Sequence, residues 1–217
     1  MPTPSAPRPL PSVTRPARFR RRVVLAAATT LGLVLAPLVV PAVAVADTND
    51  GLVVRYLLDE TGATTTAVDS SGNGRNATYV NGPTLTGAEG VRLDGNDDFV
   101  DLPDDLMRDL TSITVSADVL VRTEQSGAYF IWGMGNTSGG VGNGYLFTTG
   151  NAYRAAIATG NWSTEQGVNS NADLARGVWK TLTYTLDNAT KTSSLYLDGA
   201  LVRTNTNTTS TPGAIGG

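Results

Sequence analysis

Oxygen-bearing side chains crowd one short stretch of this chain. Asp94, Asn96, Asp97, Asp98 and Asp101 fall within eight residues, and Asp69 and Asn73 stand in a loop upstream. Two uses fit that pattern. Asp and Asn cap turns routinely. Calcium takes roughly six to eight hard oxygens at loose geometry, backbone carbonyls included. The second use makes Asp69, Asp94, Asp97 and Asp98 the expected ligands of a structural Ca2+, although the spacing is not that of an EF-hand.

Other chemistries are excluded by composition. The chain has no histidine and no cysteine. A Ser-His-Asp triad, a Cys-His pair, a disulfide framework and a Cys/His zinc site are therefore impossible. Acid/base work would fall to carboxylates, Lys or Tyr. The four glutamates are Glu60, Glu89, Glu124 and Glu165, and none has an Asp or Glu two residues on. Retaining glycoside hydrolysis needs two carboxylates about 5 Å apart, and i, i+2 on one strand face is the simplest way to supply them. No catalytic residue is assigned.

Binding of a sugar needs exposed aromatic rings with amides and carboxylates around them. Trp162 is the first candidate, because Thr159-Gly160-Asn161-Trp162-Ser163 shows no alternation and reads as a loop. Tyr145 and Tyr153 flank Thr148-Thr149-Gly150-Asn151, which reads as a hairpin loop. Trp132 lies in the strand-like Tyr129-Phe130-Ile131-Trp132-Gly133 and is a candidate for the core as well as for the site.

The elements that must position these residues read as antiparallel sheet. Leu52 to Leu58 is predicted as a buried strand with Arg55 outward. Ile113, Val115, Ala117, Val119 and Val121 alternate with polar residues, the period of a half-buried strand. Trp179 to Leu186 alternates again, with Leu182, Tyr184 and Leu186 on one side and threonines on the other. Asp198-Gly199 between two apolar runs predicts a hairpin whose turn residues both take positive φ. A second tight connection is expected from Val91-Arg92-Leu93 through Asp94-Gly95 to Phe99 to Leu102. Asp104 to Leu110 is the best helical candidate, one or two turns at most. Many short strands with Gly/Asn turns indicate a sandwich or jelly roll.

The first 46 residues are a different object. They hold six arginines and no acidic residue. Arg18 to Arg22 is followed by the 18-residue, almost wholly apolar run Val23 to Val40, then by Ala44-Val45-Ala46. Charge, apolar run and small-x-small form a secretory signal; Arg21-Arg22 also fits a twin-arginine type. Cleavage after Ala46 would leave 47–217 as a secreted, extracellular domain with no membrane span. Ten basic and nineteen acidic residues give that part a net charge of −9, which repels phosphate and argues against nucleic acid as a partner. The Asn-x-Ser/Thr sequences at Asn76, Asn136, Asn161, Asn188 and Asn207 matter only in a glycosylating host.

The order of short motifs carries a resemblance. Leu52 to Leu58 with Asp59-Glu60 comes first, then Asp69-Ser70-Ser71-Gly72-Asn73-Gly74-Arg75-Asn76-Ala77, Val91-Arg92-Leu93-Asp94-Gly95 with Asp97-Asp98-Phe99-Val100, and Ile113 to Ala117. Trp179-Lys180-Thr181-Leu182 and Leu195-Tyr196-Leu197-Asp198-Gly199 close the series. From about Leu52 to Val202 the chain resembles the laminin-G-like jelly-roll family of the concanavalin A-like lectin/glucanase fold. The resemblance implies an all-β antiparallel sandwich, structural calcium near the loops, and Trp179 in packing. It also implies a non-catalytic carbohydrate-binding module, with a polysaccharide as partner, joined to a secreted glycoside hydrolase. A protein-binding or adhesion module, or a glucanase, are the alternatives. The family usually has an aromatic residue where this chain has Asp118. It also continues past the Asp-Gly hairpin into closing strands, so the expectation is a domain incomplete at its C-terminus with a further domain downstream.

Overall fold

A computed structural model describes residues 51–136 and 144–215. The leader and its cleavage site lie outside the described residues. Every pairing between the described strands is antiparallel, as the sequence predicts. β1 (Thr66–Ala67), β2 (Ala77–Val80), β3 (Thr84–Leu85), β4 (Val91–Arg92) and β5 (Phe99–Asp101) are short. β6 (Ile113–Leu120), β7 (Phe130–Asn136), β8 (Gly144–Thr149), β9 (Arg154–Ala158) and β10 (Gln166–Asn169) follow. β11 (Trp179–Asp187), β12 (Thr192–Leu197) and β13 (Ala200–Asn205) end the series, before a single helical turn, α1 (Pro212–Ile215).

Two four-stranded sheets carry the core. One has the order β10-β9-β8-β7 and the other β13-β12-β11-β6. Their inner faces supply one apolar cluster: Leu146, Ala155, Ile157 and Val168 from the first, Leu182, Tyr184, Leu186 and Leu195 from the second. Ile215 from α1 joins it. Side-chain alternation makes this inevitable once the sheets face one another, because only the dry face of each strand can be buried. On β11 the three buried residues are the ones alternation selects, and the threonines between them face away from the core. A second, smaller cluster of Ala67, Ala77 and Tyr79 lies under β1, β2 and β5.

The β12–β13 hairpin forms as predicted, with Asp198 at φ 52° and Gly199 at φ 80°. Thr149 and Arg154 pair across the β8–β9 hairpin. Gly150 is required there by contact: a Cβ would sit 2.2 Å from the Tyr129 ring.

Three expectations are corrected. Leu52 to Leu58 is not a ladder strand; its one bridge is Tyr56 to Asp69, and Leu57 is exposed. Its backbone bonds instead to the 69–76 loop. Asn73 Nδ2 donates to the carbonyls of Leu52 and Val53, and the Arg55 N–H donates to Asp69 Oδ1. The two apolar runs either side of Asp94-Gly95 do not pair with each other. β4 pairs with β3, and β5 with β2. The Asp94–Asp98 turn closes on its own side chains: Asp94 N–H donates to Asp98, and Asn96 N–H to Asp94. Asp104 to Leu110 forms turns, not a helix. Asp105 and Asp109 sit at φ 68° and 65°, a region that no helix propagates through. Leu106 and Met107 are nonetheless buried.

Candidate functional site

Strand alternation places two groups of residues on the face of the β7–β10 sheet that points away from the core. β8 buries Leu146 and Thr148, so Tyr145, Phe147 and Thr149 point the other way. Register carries the same face across the neighbours. Phe130 stands opposite Thr149, Gly133 opposite Phe147 and Gly135 opposite Tyr145 on β7. On β9, Ala156 is opposite Phe147 and Arg154 opposite Thr149. Small residues therefore flank a row of three rings. Phe130 and Phe147 meet edge to face at 5.2 Å between centroids, and Tyr145 and Phe147 are tilted at 5.5 Å. Phe130 is 70% exposed.

A polar group is built over the same row. The Arg154 guanidinium carbon lies 5.0 Å from the Phe147 ring centroid, within cation–π reach. Arg154 Nη2 donates to Glu165 Oε2, and the Tyr145 hydroxyl donates to Glu165 Oε1 at 2.7 Å. Burial, then the hydrogen bond to Glu165 and its charge, push the Tyr145 hydroxyl up to about 12. It is thus a neutral donor throughout the physiological range. Glu165 follows a short turn, Trp162–Thr164, in the β9–β10 connection. The turn is fixed by Thr164 N–H to Asn161 O and Glu165 N–H to Trp162 O. Asn161 Oδ1 also accepts from the N–H and hydroxyl of Ser163. Trp162 leaves this turn 78% exposed.

The four aromatic candidates separate. Tyr145 lies on this outer face, and Trp162 is exposed on the turn that leads into Glu165. Tyr153 is 2% exposed, with its hydroxyl donating to Tyr196 O, so its ring is core and has no face free for a sugar. Trp132 faces inward and packs near Tyr184, at 6.3 Å between centroids. Trp179, expected in packing, is 55% exposed, because it lies on the threonine face of β11 opposite Leu120. Asp118 is exposed on that face and accepts from the Thr181 hydroxyl.

The acidic candidates separate too. Asp69 is buried, and its oxygens are committed. Oδ1 accepts from the N–H groups of Arg55 and Ser71, and Oδ2 from the Ser71 hydroxyl and the Arg75 N–H. Desolvation raises its proton affinity, but the bonds from Ser71, Arg75 and Arg55 outweigh this and hold the carboxyl well below the usual carboxylate range. Asp69 is a loop organiser, and no lone pair is left to face a metal. Asp94, Asp97 and Asp98 each offer a carboxylate oxygen, all within 4.8 Å of one another. This exposed triad could hold a hard cation.

Phe130, Phe147, Arg154 and Glu165 escaped the sequence reading. Tyr145-x-Phe147 is the signal that two rings share a face. Nothing in the sequence sets Glu165 against Tyr145, because the two are 20 residues apart and meet only through the pairing of β8, β9 and β10. A separate cleft lined by Thr65, Tyr79, Asn81, Pro83 and Leu85 belongs to the β2–β3 region and offers no charged group.

A family model described as the concanavalin A-like lectin/glucanases superfamily matches residues 94–216. No curated protein matches the chain. Among solved structures, similarity is found to domain 4 of AbnA, an extracellular GH43 arabinanase of Geobacillus stearothermophilus, in complex with arabinotriose. Identity is 20% and the TM-score 0.45, over 64% of this chain and 69% of that one. No helix among the described residues is long and apolar enough to cross a membrane.

Proposed function

We propose, from the premise that this chain belongs to the concanavalin A-like lectin/glucanase superfamily, that it is a secreted, non-catalytic module that binds a polysaccharide. The observation that carries this reading is the outer face of the β7–β10 sheet. An exposed Trp162 stands on the turn that leads into Glu165, and Glu165 joins Tyr145 and Arg154 on the face that carries the Phe130–Phe147 rings. Aromatic rings supply apolar contact area, and a few fixed polar groups supply orientation; that division is typical of small-ligand sites. Fold alone does not give the function; the assignment rests on this group.

The Glu165 carboxylate is engaged on both oxygens and forms an ion pair with Arg154, which suits an acceptor better than a general acid. The module would serve polysaccharide degradation outside the cell. Affinity electrophoresis against arabinan, xylan and β-glucan tests the reading. Retardation by at least one is expected, and identical mobility with and without every polysaccharide removes it.

The triad of Asp94, Asp97 and Asp98 is proposed to hold Ca2+ in a structural role. Hard oxygens in an exposed turn fit that ion, with the Asp94 carboxyl held below its usual range first by the Asn96 N–H and also by the Arg122 charge. Millimolar Ca2+ is expected to raise Tm by a few degrees, by mass action on the folded state. Asp97→Asn should abolish that rise. A Tm indifferent to both Ca2+ and EDTA would remove the ion.

A further inference from the structure

We propose that the Arg154–Glu165 pair selects uncharged glycans over uronate-containing ones, an inference that rests on the glycan reading of this face. The pair presents a donor and an acceptor side by side. A carboxylate has about four lone-pair sites, and Tyr145 and Arg154 take one on each oxygen of Glu165. Guanidinium has five N–H donors, and the side-chain hydrogen bond of Arg154 uses Nη2. Free acceptor and free donor sites therefore lie next to each other, beside the Phe147 ring. Two neighbouring sugar hydroxyls, one donating and one accepting, match them.

Charge decides what else fits. The guanidinium charge is already met by Glu165, so the pair is neutral as a unit. A uronate carboxylate entering here would meet the Glu165 charge at close range. Side-chain exposures of 33% for Arg154 and 24% for Glu165 place the pair where solvent screens it less than at the open surface. The net −9 of residues 47–217 acts in the same direction at longer range. Tyr145 keeps the carboxylate oriented: its hydroxyl stays protonated and holds Oε1 while Arg154 holds Oε2. Trp162 and the ring row would bind neutral and acidic sugars alike, so discrimination must come from the pair.

The test compares binding of the full chain to neutral arabinan and xylan with binding to polygalacturonate. The wild type is expected to bind a neutral polymer at least about tenfold more tightly than the polyanion. Glu165→Gln removes the acceptor charge and leaves Arg154 unpaired. It should weaken neutral binding by about tenfold, the scale of one lost hydrogen bond to a charged group, and should strengthen polygalacturonate binding. Arg154→Lys keeps the charge but loses the forked geometry; it should weaken neutral binding while polygalacturonate stays rejected. If Glu165→Gln does not fold, Arg154→Lys alone decides, and unchanged neutral affinity overturns the inference. If Trp162→Ala abolishes binding while Glu165→Gln leaves the neutral-to-acidic ratio unchanged, the pair is structural and the glycan reading survives. If the wild type binds no polysaccharide, both fall.

Discussion

Trp162→Ala is expected to weaken binding of a polysaccharide by about thirtyfold or more, the range of a buried-on-binding Trp anchor, and to leave Tm unchanged. The side chain is 78% exposed, so its removal opens no cavity. The turn that carries it is held by backbone bonds between Asn161 and Thr164 and between Trp162 and Glu165, none of which uses the indole. The free protein thus already fixes the backbone of the turn, and the ordering cost on binding is that of the indole side chain alone. Titration by tryptophan fluorescence or calorimetry measures the loss. Affinity equal to the wild type would take Trp162 out of the site and shift attention to the Phe130–Phe147 row. A fall in Tm alongside the loss would mean that the indole packs on its own scaffold.

Asp69→Asn should destabilise the domain by about 2–4 kcal/mol, from charge-assisted hydrogen bonds lost in a covered site. Asn can still accept at one oxygen, from Arg55 and Ser71. Its amide nitrogen would then face the Arg75 N–H, donor against donor, and the Ser71 hydroxyl would have to turn from donor to acceptor. The effect spreads, because the 69–76 loop holds Leu52 and Val53 through Asn73. The pH dependence has a definite sign. The folded carboxyl lies below its unfolded value. Its contribution is complete above the unfolded pKa of about 3.9 and is lost as pH falls towards the folded value. Wild type and Asp69→Asn should therefore differ most at pH 5–7 and converge towards pH 2. Urea denaturation at pH 7 and pH 3 measures both; an equal gap at the two pH values would assign the effect to shape, not charge.

Asp69 and Glu165 illustrate how unevenly the sequence could be read. Asp69 was recognisable as a functional oxygen in a Ser/Gly/Asn loop, but a metal ligand and a loop organiser have the same local signature. Only the positions of the Arg55 and Arg75 N–H groups distinguish them. Glu165 looked isolated because its partners, Tyr145 and Arg154, are 20 and 11 residues away in the chain. Leu52 to Leu58 has strand composition, yet its hydrogen bonds go to the 69–76 loop, to the side chains of Asp69, Ser70 and Asn73 and to the Ser70 N–H, and not to a neighbouring strand. Composition does not reveal where the partner backbone is.

The sequence by itself determined what short-range physics controls. The Asp198-Gly199 turn, the alternation of β11 and β6, the absence of thiol and imidazole chemistry, and the all-β antiparallel class follow from residue identity and period two. Tertiary structure decided which aromatic rings face solvent. Tyr145 and Tyr153 stand either side of one hairpin loop, yet the first joins Glu165 on an outer face and the second is sealed in the core. Alternation fixes that two faces exist; which one is dry depends on where the β6–β11–β12–β13 sheet packs, and that contact is made by residues distant in the chain.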